Sequence, residues 1–554
     1  MNNKLSVIPL GGVEEVGLNM TVLKFGDDII VVDAGLMFPE EDMLGVDFVI
    51  PDLTYVIENS DRIRGIILTH GHEDHTGALP FLMKNLKGRD VPVYGTPLTL
   101  GLVRHKLAEH HLEEVRLISV KPRDVIELGA FRVEFIRVTH SIVDGVALGI
   151  TTPLGRVVHT GDFKIDPTPV DGELLDFHKF TEYGEKGTLL LLSDSTNAER
   201  GGFTFSEKEV RRSFEDIFSK AEGRIIISTF ASNIHRIQQA IDVAAKFGRK
   251  VILCGKSIVV NAQIALDLGY LKIPRDTWLK LDALPRLRDT EVVIITTGSQ
   301  GEPMSVLSRI ATGEHKQIQI RDGDTVILSA KMIPGNERSI GRIINHLFRR
   351  GANVIYEKVS EIHVSGHASK EELKLMLNMV HPKYFVPVHG EYRFLVSHSR
   401  LARKQGIPSE NVFILRNGEV LEITEEGASV NGSVQSGRVF IDGKGIGDVE
   451  EMVLRDRRWL SQDGIVLILI TIEKPSGDIV VGPDIVTRGF IYEESSQEIL
   501  DEVRDLVAST IKELDPEVTA DQSLLQARLR NVVKKYFRNT MDRRPMIMPI
   551  IIEV

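Results

Sequence analysis

In residues 65–80, GIILTHGHEDHTGALP, a short apolar run gives way to three histidines and an aspartate spaced as HxHxDH: His70, His72, Asp74 and His75. Ile66 to Thr69 has the β-branched, apolar character of a buried strand, and TGALPFLMKNL after His75 has helical spacing. The motif therefore sits on a strand-to-helix loop, which can aim several side chains at one point. Three imidazoles and a carboxylate suit zinc or manganese, and the absence of neighbouring cysteines argues against a closed structural zinc knuckle, so an open, catalytic metal site is expected. With 17 histidines in 554 residues, chance would produce this spacing in roughly one such chain per thousand.

Working outward, strands dominate from Leu5 to about Lys208: VIPLGG, DDIIVVDAG, VPVYG, FRVEFIRVTH, GRVVHTGD and TLLLLSDS. After Ser206, helices and strands alternate regularly, as in RIIISTF, NIHRIQQAIDVAAKF, KVILCG and VVIITTG. That alternation indicates a doubly wound parallel sheet, a second α/β unit set into the first. The expected division is 1–208 and 369–426 for the interrupted first domain and 209–368 for the insert. A linker is expected over 427–448, where GASVNGSVQSG is rich in glycine and serine, and a small α+β domain over 449–554. The apolar end, PMIMPIIIEV, should be paired in a sheet or buried between subunits.

No apolar stretch reaches the length of a membrane span, and Met1 to Pro9 lacks a signal peptide's pattern, so a cytoplasmic protein is expected. One cysteine, Cys254, permits no internal disulfide and reads as a buried structural thiol. The formal net charge of −11 does not exclude a polyanionic partner, because local fields govern binding in a cleft. Basic clusters at Arg349 and Arg350, at Arg455, Arg457 and Arg458, and at Arg543 and Arg544 read first as solvated faces.

Further candidate ligands stand at strand ends: Asp33 after IIVVD, His140 after VEFIRVT, and Asp162 after VVHTG. As an ordered set with HxHxDH, they resemble the successive motifs of the metallo-β-lactamase fold. Asp194 in LLLLSDSTN, His367 in HVSGHAS and His389 in VPVHGEYR resemble the extra motifs of the β-CASP nucleases, in which a second domain interrupts the first and caps its metal cleft. FPEEDMLGVDFVIPD, HTGDFKIDPTPV, STFASNIHRIQQ, TTGSQGEP, VLRDRRWLSQDGI and RRPMIMPIIIEV extend the resemblance to the bacterial ribonuclease J family over essentially the whole chain. The fold implied is α/β: a metallo-β-lactamase αββα sandwich interrupted by a doubly wound parallel β-CASP domain, plus a small α+β C-terminal domain.

The resemblance implies two divalent ions, zinc before manganese. One would be held by His70, His72 and His140, the other by Asp74, His75 and His389, with Asp162 bridging. Two such ions lower the pKa of a shared water and stabilise an in-line phosphoryl displacement, with hydroxide as nucleophile. Asp33 and Asp194 are expected to support ligands, and His159 to pack beside them. His367 and Asp74 are the expected catalytic residues, His367 at the leaving oxygen. Ser365, Gly366, His367 and Ser369 form the implied pocket for an RNA 5′ monophosphate, while Phe230, Ser232 and Asn233 are implied nucleotide contacts, Phe230 by stacking. Val143 stands where the family commonly has proline, so the loop carrying His140 is expected to sit slightly differently.

The activity implied is 5′-to-3′ exonuclease and endonuclease cleavage of single-stranded RNA in RNA maturation and decay. A homodimer or homotetramer, and association with other RNA-decay proteins, are further expectations. Two alternatives stand beside it: a DNA-processing nuclease of the same β-CASP group, and an inactive RNA-binding scaffold subunit. The residues leave open zinc against manganese, the exo- to endonuclease balance, RNA targets and assembly state.

Overall fold

A computed structural model describes residues 3–40, 42–302, 304–330, 336–357, 362, 364–443, 445–447, 451–473, 476, 478–492, 496–519 and 521–554. The chain forms two compact units, one comprising Met1–Phe38 with Val49–Val439, the other Pro39–Phe48 with Phe440–Val554.

The larger unit is built on three sheets. One runs, in spatial order, Ala428–Ser433, Glu419–Ile423, Leu5–Gly11, Met20–Phe25, Asp28–Val32, Ile63–Ile67, Val93–Gly95 and Leu117–Ser119. The second runs Pro382–Val388, Thr188–Asp194, Gly155–His159, Val146–Thr152, Phe131–Arg137 and Val125–Leu128. Their facing sides share one core. Phe131, Val133 and Phe135 pack with Leu5, Val7, Leu23, Ile30 and Ile67, while Ile136, Val158 and Leu191 turn to the opposite side, towards Phe180, Met376 and Leu377. This division follows the two-residue period of a strand, and it produces helices outside a pair of stacked sheets, the sandwich expected.

The chain leaves the second sheet at Asp194 and returns beside it at Pro382, the two strands pairing parallel with Asp194 opposite Val388. Between them lies the third sheet, parallel throughout, in the order Trp278–Leu279, Lys250–Cys254, Val292–Thr296, Ile225–Ser228, Thr325–Leu328 and Asn353–Ile355. Ile225, Ile227, Val251 and Ile295 face one helical layer, and Ile226, Ile252 and Ile294 the other. Near-continuous Ile/Val runs are what a parallel sheet covered on both faces requires. Cys254 belongs to the second layer, buried with Sγ 3.7 Å from His315 Nε2, and burial pushes its thiol pKa up. This is the structural thiol expected.

The expected linker over 427–448 is instead largely strand, although Lys444 and Asp448 lie outside the described residues. Ala428–Ser433 folds back on Glu419–Ile423 in an antiparallel pair with Ile423 opposite Ala428, and Thr424 N donates to Gly427 O across the turn. Arg438–Asp442 is also a strand. An edge strand exposed on both faces has no hydrophobic alternation to announce it, so its glycines and serines read as a spacer.

In the smaller unit, Ile465–Ile472 lies between Ile479–Arg488, antiparallel, and Met546–Glu553, parallel. The apolar terminus is thus paired in a sheet. Helices Gln497–Lys512 and Gln522–Met541 cover one face through Val503, Val507, Leu525, Leu529 and Val533. Arg457 donates to Leu44 O and pairs with Asp442, Arg458 pairs with Asp42, and Arg543 donates to Phe490 O, so these basic residues serve contacts within the unit. No described helix is long and apolar enough to cross a membrane.

Candidate metal centre

Parallel strands place their C-terminal ends side by side, and that edge is where α/β sheets gather functional residues. In the second sheet His159 is opposite Leu192 and Asp194 opposite Val388, which brings Asp162, Asp194 and His389 to one edge. In the first sheet Val32 is opposite Ile67, and Asp33 N donates to Ile67 O, so Asp33 stands beside Thr69 and His70. Asp33 and His389 both have left-handed backbones, φ 63° and 55°, a conformation uncommon for non-glycine residues and concentrated at functional sites.

The HxHxDH loop is clamped by backbone hydrogen bonds to residues 34–36: Ala34 N donates to His75 O at 2.8 Å and Leu36 N to Glu73 O at 3.0 Å. A Cβ on Gly35 would fall 1.7 Å from Asp74 O, so only glycine permits this approach. The single helix expected after His75 is two short ones, Glu73–Thr76 and Leu79–Asn85. Between them Ala78 N turns aside to donate to Ala34 O at 2.8 Å.

The side chains converge in two groups. His70, His72, His140 and Asp162 form one; Asp74, His75, Asp162 and His389 the other; within each, one donor atom per residue lies within 4.8 Å of all the rest. In the first, His72 Nδ1 is 3.0 Å from His70 Nε2 and 3.1 Å from His140 Nε2, and Asp162 Oδ2 is 3.7 and 3.8 Å from the same two Nε2 atoms. In the second, His75 Nε2 and His389 Nε2 are each 3.3 Å from Asp162 Oδ2 and 3.6 Å from Asp74 Oδ2. Four ligands bound at about 2.0–2.1 Å in a tetrahedron are separated by about 3.3 Å, so both groups have the spacing of a coordination shell sharing one carboxylate.

Hydrogen bonds fix which ring nitrogen each ligand offers. His75 Nδ1 lies 2.8 Å from Asp33 Oδ2, and His140 Nδ1 lies 2.7 Å from Gly366 O. Each ring is thereby turned so that its Nε2 faces the cluster, where that of His75 also lies 3.1 Å from Asn19 Nδ2, the arrangement by which outer partners orient metal-binding histidines. Thr69 Oγ1 donates to Asp33 Oδ2 at 2.9 Å and stands 3.1 Å from His70 Nδ1, extending the support of Asp33 to a second ring. Both nitrogens of His389 are buried without a hydrogen-bond partner among the described residues, as befits a donor kept for an ion.

Charge at the site favours a cation. Burial holds His72 down at about 3 and His140 at about 4, and drives His70 well below its usual value, so these three imidazoles are neutral donors. Burial opposes charge at His75 and His367 as well, yet there the carboxylates prevail. Asp162, Asp74 and Asp33 raise His75 well above its usual value, and Asp194 and Asp162 push His367 up to about 9. A buried cluster that stabilises positive charge on its own histidines is chemically suited to divalent cations.

His367 Nδ1 donates to Asp194 Oδ2 at 2.8 Å and lies 3.8 Å from Asp162 Oδ2, so it joins the cluster as a third party. The other oxygen of Asp194 accepts from Thr196 N at 2.9 Å. His159 belongs to neither group; its Nδ1 accepts from Gly161 N at 3.1 Å, the supporting position expected.

Other expected residues have different surroundings. Ser365 Oγ accepts from Asn197 Nδ2 at 2.8 Å and His367 N at 3.2 Å. Ser369 is fully buried, with its hydroxyl 2.9 Å from that of Thr204 and its N–H donating to Glu372 Oε2. Ser369 thus caps the helix Lys370–Val380 as S-x-x-E predicts, and its hydroxyl is withheld from an anion. Asn233 is likewise a buried helix cap, Oδ1 accepting from Arg236 N at 3.0 Å, while Phe230 and Ser232 in the same turn remain partly exposed. Asn197, Thr204, Thr69 and Arg236 escaped the sequence reading. The capping spacing Ser369–Glu372 was a signal for the buried role of Ser369, but nothing local marks the other four.

Known proteins resemble the chain along its length. Family models match as follows: the metallo-beta-lactamase superfamily over residues 14–226, the ribonuclease J beta-CASP domain over 222–347, the Zn-dependent metallo-hydrolase RNA specificity domain over 351–415, and the ribonuclease J C-terminal domain over 452–554. Ribonuclease J 1 of Streptococcus pyogenes serotype M3 is 43% identical over 551 residues, covering 99% of this chain and 98% of that protein. The chain belongs to the ribonuclease J family. Within the family, ribonuclease J of Thermus thermophilus is 44% identical over 556 residues, covering 99% of this chain and 95% of its own length. A crystal structure of a protein of unknown function from Enterococcus faecalis V583 shares the fold, with TM-score 0.55 at 17% identity over 75% of this chain and 99% of that one. Membership of the ribonuclease J family makes the chain a metallo-β-lactamase-type hydrolase with a divalent-metal centre.

Proposed function

We propose that the chain hydrolyses single-stranded RNA in the cytoplasm as a 5′-to-3′ exoribonuclease with endonuclease activity, favouring 5′-monophosphate ends and acting in RNA maturation and decay as a homodimer or homotetramer, in association with other RNA-decay proteins. One observation carries the reading: two four-donor groups share Asp162, with His367 Nδ1 3.8 Å from that carboxylate. His70, His72 and His140 would hold one ion, Asp74, His75 and His389 the other, with Asp162 available to both; zinc suits these borderline donors first and manganese second. When bound, the pair supplies an activated water and charge stabilisation for phosphodiester displacement.

The chain's own residues do the rest. His367, oriented and kept protonated by Asp194, offers its Nε2 proton to the departing oxygen, while Asp33 and Gly366 keep His75 and His140 aimed. Ser365 uses its oxygen as an acceptor and so retains a hydroxyl proton for a 5′ phosphate, alongside the backbone of Gly366 and His367. Phe230 and Ser232 contact a nucleotide, and Asn233 shapes their turn. In this reading the insert spans 209–368 within a metallo-β-lactamase domain of 1–208 and 369–426.

The test is digestion of a 3′-labelled, 5′-monophosphorylated RNA by metal-stripped protein, with zinc or manganese restored and His72→Ala alongside. Release from the 5′ end only with metal, and only by the unmodified chain, is expected. RNA binding without cleavage by fully loaded protein would sink the enzymatic reading. Equal rates on a 5′-triphosphate RNA would remove the phosphate pocket, and equal rates on DNA of the same sequence would remove the preference for RNA.

A further inference from the structure

The two donor groups above do not exhaust the cluster. Asp162, Asp194, His367 and His389 form a third, again with one donor atom from each within 4.8 Å of the others. Its composition, two carboxylates and two imidazoles, is that of the group Asp74, His75, Asp162 and His389, and two members are common to both. Its spacing is similar: His389 Nε2 and His367 Nδ1 are 3.3 and 3.8 Å from Asp162 Oδ2. His367 Nδ1 and Asp194 Oδ2 are closer, 2.8 Å apart, because a hydrogen bond joins them.

We infer that the ion held by Asp74, His75, Asp162 and His389 has a second seat, on Asp162, Asp194, His367 and His389. The inference rests on the two-ion reading of the site. The seats exclude one another, because His389 Nε2 has one lone pair to give. Preference between them follows from the hydrogen bonds. His75 is already turned by Asp33, its Nε2 standing 3.6 Å from Asp74 Oδ2 and giving up only a contact with Asn19 Nδ2 at 3.1 Å, whereas an ion between Asp194 and His367 must break the 2.8 Å bond that joins them. The first seat is therefore the resting one, and the second fills when the first is damaged. A divalent ion there takes the place of the Nδ1 proton and makes His367 a ligand; its Nε2–H then belongs to a neutral imidazole, a far weaker acid for the leaving oxygen, so the chain would be fully loaded and impaired.

The experiment counts bound zinc per chain after exhaustive removal of free metal, in the unmodified protein, His75→Ala, His367→Ala and the double variant. Two ions are expected in the first three and one in the double variant. A crystal of His75→Ala should show zinc anomalous density between Asp194 and His367. A single ion in folded His75→Ala, or two in the double variant, would overturn the second seat. Should His75→Ala lose its fold by circular dichroism, Asp74→Asn with and without His367→Ala poses the same question. Fewer than two ions in the unmodified protein would instead refute the two-ion reading itself.

Discussion

His140 Nδ1 donates to the carbonyl of Gly366 across 2.7 Å, tying a ligand at the end of one sheet to the loop by which the chain returns from its inserted domain, 226 residues away. A Cβ at position 366 would fall 2.5 and 2.6 Å from the Cε1 and Nδ1 atoms of that ring. Gly366→Ala should therefore displace His140 and weaken the first ion by about 10- to 100-fold, the usual consequence of losing an outer partner. Competition with a chromophoric chelator measures this directly, and unchanged affinity would contradict the role of the contact.

Asp33 belongs to neither donor group but touches one of their members and reaches a second through Thr69, accepting from His75 Nδ1 and from Thr69, which stands beside His70. Asp33→Ala should lower affinity for the ion at His75 by about 10- to 100-fold. Isothermal titration of metal-free protein should show one of its two binding events weakened on that scale, and two unchanged events would contradict the support.

Arg236 has no exposed surface. It donates to Glu207 Oε2 at 2.8 Å, to Ile362 O at 2.8 Å and to Ser329, joining the insert to the segment that precedes the His367 loop. Removing one partner of a buried pair costs about 3–5 kcal/mol, so Arg236→Met should lower stability on that scale, read as a fall in denaturant midpoint. A loss below about 1 kcal/mol, the range of exposed pairs, would show the tie to be dispensable.

Asp144, φ 56°, lies at the start of helix Pro97–Glu109, accepting from Leu98 N and Thr96 Oγ1 at 2.8 Å each. Burial outweighs these bonds and raises its pKa from 3.8 to about 6. The folded chain thus holds this proton more tightly than the unfolded one. The stability it contributes is complete below about pH 4 and is lost as pH rises through about 6, a change of about 3 kcal/mol. Asp144→Asn keeps the shape without the charge, so its melting temperature relative to the unmodified protein should climb between pH 4 and 6 and level off above. A constant difference across that window would refute the assignment.

The residues of the two donor groups were legible because their spacing is local or because each closes an apolar strand. HxHxDH announces itself, and Asp162, Asp194 and His389 follow runs whose burial is plain from composition. The sandwich and the inserted parallel sheet were legible for the same reason. What supports the ligands was not: Thr69, Gly366 and Asn197 act through contacts that exist only after distant segments meet. Ser369 and Asn233 were read for ligand binding, yet cap helices, since a hydroxyl or amide at a helix start serves either purpose and burial decides between them. Nor does FPEEDMLGVDF reveal that Pro39–Phe48 belongs with the C-terminal unit, because ten residues without periodicity carry no record of their neighbours.

The pairing of Thr188–Asp194 with Pro382–Val388 also sets an order of events in time. The two strands are separated by the whole inserted domain, so closing this pair carries the entropy of a very long loop, a cost reduced once that domain has folded and drawn its ends together. During synthesis from the N-terminus, His70, His72, His140 and Asp162 emerge and can assemble well before His389 leaves the ribosome. A nascent chain therefore carries an incomplete centre until the return strand emerges. In the two-ion reading, hydrolytic capacity arrives only with the return strand, after the inserted domain is already made.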